Sequence, residues 1–309
     1  MREKGEWWEV IFRTGGDSEE ILEGLSNFLI EEGSEGLIWE DLSQQIKNGF
    51  GTTIKAYFKR DPSFPAKIEQ ITRYVKSLKE VFIDKPPVSF CFRVLKEKDW
   101  LKEFRESFRG TRVTEKISII PSWEEKRDME NGDIIIVIEP GMAFGTGLHP
   151  STRVAIEAID ESFKIEKMGS ISLLDVGTGS GILAITAVKL GADEVIALDI
   201  DPTATIVARE NTLRNGCHER IKIIAGTMDV IRRKFHIIVS NITERFHEEN
   251  ISNYWSLVKD GGWVIISGIL TERAKGLCEK FKEIGFSPLG EKEMEGWSAL
   301  IFRKDHFHF

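Results

Sequence analysis

Apolar and polar residues alternate through Trp8, Glu9, Val10, Ile11, Phe12 and Arg13, the period of a strand with one strongly apolar face. From Ser18 to Glu31 the spacing becomes helical, with Ile21, Leu22, Leu25, Phe28 and Leu29 on one side and Gly33 as the stop. Strands are predicted at 36–39 and 53–58. A helix follows over 62–81, carried by Ile68, Ile71, Val75 and Leu78, and a further alternating strand lies at 88–95. The order strand–helix–strand–strand–helix–strand is that of a ferredoxin-like α+β domain, placed at residues 1–95. No nucleotide or metal motif falls within it, so this part reads as a packing or recognition module.

Residues 96–112 are charged and form a linker, helical over 96–108. Two strands are expected at 116–121 and 133–138. Beyond Ser151, helices alternate with the apolar runs 171–176, 195–199, 221–224, 237–240 and 263–267, which read as buried parallel strands. The segments 286–292 and 297–303 are joined only by the short turn 293–296, so they must pair antiparallel. The fold class expected for 113–309 is therefore α/β, a Rossmann-like seven-stranded sheet with an antiparallel last strand.

Composition narrows the function. The chain has 309 residues, 41% hydrophobic and 30% charged, enough for two globular domains. Cys91, Cys217 and Cys278 lie far apart with no Cys-x-x-Cys pair, which points to a reducing compartment and no metal cluster. A formal charge of −8 argues against direct nucleic-acid binding. No apolar run is long enough to span a membrane, and the first residues lack a signal core. A cytoplasmic location and a monomer are the corresponding expectations.

Chemistry enters at Asp175-Val-Gly-Thr-Gly-Ser-Gly181, between a predicted strand and the helix 182–190. Glycines let the backbone turn tightly and approach a ligand, and a helix N-terminus favours an anionic group. Gly177, Gly179 and Gly181 recur at every second residue, unlike the Gly-x-Gly-x-x-Gly of dinucleotide folds. Asp199 follows Gly177 by 22 residues and ends the next strand, where a carboxylate can accept both hydroxyls of a ribose. Asp175 is placed either to anchor the loop or to face a cofactor's ammonium group. The C-terminal hairpin favours a methyltransferase sheet over a nicotinamide-dependent oxidoreductase, whose sheet would continue through a crossover helix.

The segment Glu139-Pro-Gly-Met-Ala-Phe-Gly-Thr-Gly-Leu-His-Pro-Ser-Thr152 excludes a regular helix or strand interior, and its Ser151 and Thr152 hydroxyls are expected to cap the following helix. His149 is a candidate base or a hydrogen-bonding scaffold. Asn241 ends the strand 237–240 at the edge where ligands bind, positioned to orient an amine nucleophile or to hold the cofactor's amino acid moiety.

With 174–184 and Asp199-Ile-Asp-Pro202, this segment resembles the PrmA family of ribosomal protein methyltransferases, and the likeness runs through the whole chain. The resemblance implies a class I S-adenosylmethionine-dependent methyltransferase whose substrate is the eleventh protein of the large ribosomal subunit, met before assembly. Lysine ε-amino groups, and also an N-terminal α-amino group, are the implied acceptors. It places Thr152, Gly177, Asp199 and Asn241 on the cofactor, with Phe144 and the backbone of Gly145, Thr146 and Gly147 over its methionine end. It also makes the first domain the substrate-recruiting part. Thr243 and Glu244 depart from the family's pattern and are expected to line the acceptor pocket. The residues by themselves leave open another protein lysine as acceptor, a nicotinamide-dependent oxidoreductase, and a cofactor-sensing module without turnover.

Overall fold

Strand alternation in the first segment and continuous apolar strands in the second build two different sheets. The structure, a computed structural model, describes residues 6–13, 19–34, 36–41, 52–59, 62, 64–81, 88–96, 109–124, 132–139, 149–165 and 170–305. The chain divides into two compact units, 1–108 and 109–309. Of the expected linker, residues 97–108 lie outside the described residues.

The first unit runs β1 (Glu6–Arg13), α1 (Glu19–Glu31), β2 (Gly36–Asp41), β3 (Thr52–Lys59), α2 (Phe64–Val81) and β4 (Ser89–Lys96). Its sheet has the order β2-β3-β1-β4, and every neighbouring pair is antiparallel. Val10, Phe12, Ile54, Ala56 and Phe58 meet Leu22, Leu25, Leu29, Ile71 and Val75 of the two helices in one core. Glu9 alternates away from that core yet is fully buried. Its carboxylate accepts from the Tyr57 hydroxyl at 3.0 Å and pairs with Arg93, so the charge is compensated.

The second unit begins with β5 (Thr111–Arg112), β6 (Ile117–Pro121) and β7 (Ile134–Ile138), which form a separate three-stranded sheet with β6 parallel to β7. Next come α3 (Pro150–Ile165), β8 (Ser172–Val176), α4 (Ile182–Leu190), β9 (Glu194–Asp199), α5 (Pro202–Arg214) and β10 (Ile221–Ala225). A short 3₁₀ turn leads to β11 (Phe235–Asn241), α6 (Glu244–Glu249), α7 (Ile251–Leu257), β12 (Val258–Leu270), α8 (Thr271–Ile284), β13 (Phe286–Met294) and β14 (Trp297–Lys304).

The large sheet has the order β10-β9-β8-β11-β12-β14-β13. The strands β10, β9, β8, β11 and β12 are parallel, and β14 is antiparallel to both of its neighbours. The hairpin turn is narrower than the sequence suggests. Only Glu295 (φ 50°) and Gly296 (φ 83°) lie between the strands, both at the positive φ that a two-residue turn requires. The strand expected at 263–267 extends over Val258–Leu270.

Both sheet faces are covered, which explains the unbroken apolar runs. Leu173, Val195, Ile237 and Val239 face a core shared with α3 and α4. Their neighbours Leu174, Ile196 and Ile238 face Tyr254, Leu277 and Phe281 on the other side. Phe281 is fully buried and stacks on Phe302 at 4.3 Å between ring centroids. Phe281→Ala should therefore lower the stability of the second unit by about 3–5 kcal/mol in urea unfolding, the range for a large side chain lost from a packed core.

Candidate functional site

Four parallel strands end together along one edge of the large sheet. Register pairs Val176 with Leu198 and with Ser240, and Asn241 with Ser267. Gly177, Asp199 and Asn241 therefore stand in a row. The chain lays β9 and β10 to one side of β8, and β11 and β12 to the other. Such a reversal opens a crevice at the strands' carboxyl ends, the usual place for a ligand in open α/β sheets.

The glycine loop is shaped by carboxylates on both sides. Gly177, Gly179 and Gly181 have φ of 71°, 53° and 82°, all in the region that favours glycine. At Gly177 the space is also closed, because a Cβ would lie 2.5 Å from Ile242 Cδ1. Gly181 has no side chain with which to cap α4, and Asp175 takes over that task. Its Oδ2 accepts from the Ala184 amide at 3.1 Å and from the Thr178 hydroxyl at 2.6 Å. Asp199 Oδ2 accepts from the Gly179 amide at 2.8 Å, and its Oδ1 from the Asp201 amide at 3.0 Å. The Asp201 side chain in turn caps α5 through the Thr203 amide at 2.7 Å.

The other wall is the start of α3. Ser151 and Thr152 sit inside the first turn rather than capping it, since Pro150 opens the helix with its φ already set. His149 takes the cap position. Its carbonyl accepts from the Thr152 and Arg153 amides, and its Nδ1 lies 2.8 Å from Ser151 Oγ and 3.3 Å from the Ser151 amide. The ring meets Trp297 edge-on at 4.7 Å. Burial lowers its pKa to about 4, so the imidazole is neutral at pH 7 and a weak base. Thr152 is fully buried, and the Asn241 amide donates to its hydroxyl at 3.2 Å. Thr152 and Asn241, 89 positions apart, are thus brought together. Phe144, Gly145, Thr146 and Gly147 lie outside the described residues.

At the ends of β8 and β11 two buried side-chain oxygens have no hydrogen-bond partner, Asp175 Oδ1 and Asn241 Oδ1; elsewhere among the described residues Ser26 Oγ, Ser34 Oγ and Arg153 Nε share that state. The strands β8 and β11 flank the reversal. An unpaired buried acceptor costs about 1–3 kcal/mol, so each of the two calls for a donor that the described residues do not supply. Both are acceptors, which suits an ammonium or amine. Burial, with Asp199 adding like charge, raises the Asp175 pKa to about 7.

Several residues that build this edge carry no motif. Ser267 Oγ reaches the Ser151 carbonyl at 2.8 Å and the Ser298 carbonyl at 3.2 Å, which ties α3 to β12 and β14. The Ser267 carbonyl accepts from the Ile242 amide and from His247 Nε2. The Ser267 carbonyl can only accept, which assigns the proton of neutral His247 to Nε2 and leaves Nδ1 to accept from the Tyr254 hydroxyl at 3.0 Å. Burial holds this ring near pKa 4, neutral as the arrangement needs. The result is a locked turn after Asn241, closed further by Gly268 (φ 81°), where a Cβ would fall 2.3 Å from the Ile242 carbonyl. Thr243 and Glu244 start α6, with Thr243 at its N-cap.

The Asp175 pKa sets a pH dependence. Because the folded chain binds this proton more tightly than an unfolded one (3.8 against about 7), stability from this group is present at low pH and lost as pH rises through 7. Wild type should lose a few kcal/mol relative to Asp175→Asn between about pH 4 and 8 in urea titrations. Parallel curves would show that Asp175 is ionised throughout.

Comparison with known proteins gives the chain's family. The family model described as ribosomal protein L11 methyltransferase (PrmA) matches residues 6–305. The ribosomal protein L11 methyltransferase of Geobacter metallireducens is 35% identical over 291 residues, covering 92% of this chain and 94% of the relative. That of Staphylococcus saprophyticus is 32% identical over 320 residues, with 96% and 98% covered. A solved ribosomal protein L11 methylase from Lactobacillus delbrueckii subsp. bulgaricus superposes with a TM-score of 0.59 at 30% identity, over 64% of this chain and 100% of that one. A match over nearly every described element, on the sheet order and glycine loop above, shows that the chain belongs to the ribosomal protein L11 methyltransferase (PrmA) family.

Proposed function

We propose that the chain transfers methyl groups from S-adenosylmethionine to amino groups of the eleventh large-subunit ribosomal protein. The observation that carries the cofactor assignment is the pair of buried, unpartnered acceptors Asp175 Oδ1 and Asn241 Oδ1 beside the glycine loop. They fit the cofactor's α-ammonium and, at Asn241, the incoming amine. Asp199 retains lone pairs on both oxygens for a ribose diol. Gly177 and Gly179 let the backbone approach the bound molecule, and Thr152 fixes the Asn241 amide. The 144–147 stretch is assigned to the methionine end through the family resemblance.

When bound, the cofactor supplies an activated sulfonium methyl, so the protein's task is alignment. A lysine amine has a pKa roughly 3.4 units above pH 7, and deprotonation costs about 4.6 kcal/mol, whereas an α-amino group costs about 1 kcal/mol. A desolvated crevice lowers that cost by disfavouring the charged amine. Asn241 Oδ1, held by Thr152 and by the locked turn behind it, orients the neutral amine. His149, half-buried and neutral, acts by positioning Thr152 rather than as the base.

The first unit's element order and its antiparallel β2-β3-β1-β4 sheet support a ferredoxin-like reading, and we assign it to substrate recruitment. No described helix is long and apolar enough to cross a membrane, and Cys91, Cys217 and Cys278 are free thiols.

Incubation with labelled S-adenosylmethionine and the purified ribosomal protein, followed by mass spectrometry, should place label on lysine or N-terminal amines. Asp199→Ala should weaken cofactor binding at least about 100-fold, roughly 2.7 kcal/mol, with the circular dichroism unchanged. Unchanged affinity would remove Asp199 from the site. Cofactor binding at pH 7 should also release a fraction of a proton, because an ammonium at Asp175 Oδ1 pulls that carboxyl's pKa down. Calorimetry in buffers of different ionisation enthalpy reads this directly, and no release would place the ammonium elsewhere.

A further inference from the structure

Asn211 lies on α5, is fully buried, and belongs to none of the motifs described above. Asparagine is a poor helix former, and a buried amide is costly unless all its groups are paired. Here they are paired across two loops. The Asn211 Nδ2 donates to the Ser180 carbonyl at 2.9 Å, inside the glycine loop. Its Oδ1 accepts from the Glu139 amide at 3.0 Å, at the end of β7 where the 140–148 stretch departs. The partners fix the orientation of the amide, since Ser180 offers only an acceptor and Glu139 only a donor.

One turn further on, Asn215 makes a related but different grip. Its Oδ1 accepts from the Val137 amide at 2.9 Å and its Nδ2 donates to the Val137 carbonyl at 2.7 Å, standing in for a neighbouring strand along β7. Asn215 holds β7 to α5 without touching the glycine loop. Asn211 alone of the two joins β7 to that loop. The same helix starts at Asp201, whose amide is held by Asp199.

From this contrast we propose that Asn211 is a positioning residue for the methyl-transfer site. It fixes the Ser180 carbonyl of the glycine loop against the Glu139 amide at the end of β7, so that the loop holds one shape for the bound molecule. The inference rests on the cofactor reading above, and its test separates the two. Wild type is first titrated with S-adenosylmethionine; absence of binding there overturns the cofactor reading itself.

Asn211→Leu, Asn211→Asp and Asn215→Leu are then compared by thermal unfolding, cofactor calorimetry and steady-state transfer to the ribosomal protein. Asn211→Asp keeps the acceptor for Glu139 and, compared at a pH where its carboxyl is ionised, loses the donor to Ser180, so it tests the link even where Asn211→Leu fails to fold. Both Asn215→Leu and Asn211→Leu should unfold at lower temperature. The Asn211 variants alone should lose at least tenfold in cofactor affinity, with the KM for the ribosomal protein unchanged. Asn215→Leu should keep wild-type cofactor affinity. Amide exchange at Ser180, Gly181 and Glu139, followed without cofactor, should rise in Asn211→Asp. Wild-type affinity in Asn211→Asp, or an equal loss in Asn215→Leu, overturns the proposal.

Discussion

A carboxylate buried out of reach of water organises this edge of the sheet. Asp175 uses one oxygen to hold the turn, through Thr178, and the first turn of α4, through Ala184. That single acceptor replaces the cap that Gly181 lacks, so the loop can consist largely of glycine and still have one shape. The other oxygen has no partner among the described residues and lies in a setting that penalises its charge. The protein thus holds the loop rigid with half of a side chain and leaves the other half in a costly state. A cationic ligand relieves that cost, which makes binding energy available where the chemistry takes place.

The second wall works with neutral groups. Half-buried His149 and fully buried His247 are both uncharged at pH 7, and each hydrogen-bonds to the backbone around it. His149 closes the N-terminus of α3, and His247 braces the turn after Asn241 through Ser267. Between them, Thr152 and Asn241 meet in a place that no single element could define. An aligned amide next to a desolvated amine needs little acid–base machinery, because alignment and desolvation supply most of what the reaction demands.

Much of this was legible from spacing. The β8–α4 turn, the Asp199 strand end and the antiparallel hairpin each follow from short-range patterns, in which glycine, strand length and turn length restrict the backbone directly. Long-range side-chain pairing was less visible. Asn211, Asn215 and Ser267 look like ordinary polar residues, and their roles depend on partners tens of positions away. The asparagine pair at i and i+4 in α5 was the one available signal, two weak helix formers facing the same way. Ser151 and Thr152 misled as caps because a histidine followed by proline can cap as well, by ring nitrogen and carbonyl. The small sheet of β5, β6 and β7 also lay beyond local reasoning, since β6 and β7 pair in parallel across an intervening stretch.

The placement of β14 has a consequence for synthesis. Although it follows every other described strand in sequence, it lies between β12 and β13 in the sheet. Its Trp297 ring braces His149, and the Ser298 carbonyl engages Ser267, the residue that ties α3 to the catalytic edge. A chain still being synthesised therefore lacks these braces at the strand ends until β14 is made. Until then β12 presents an open flank, and β13 has no partner in the sheet. β14 therefore completes the sheet by insertion between two strands made before it rather than by extension at an edge.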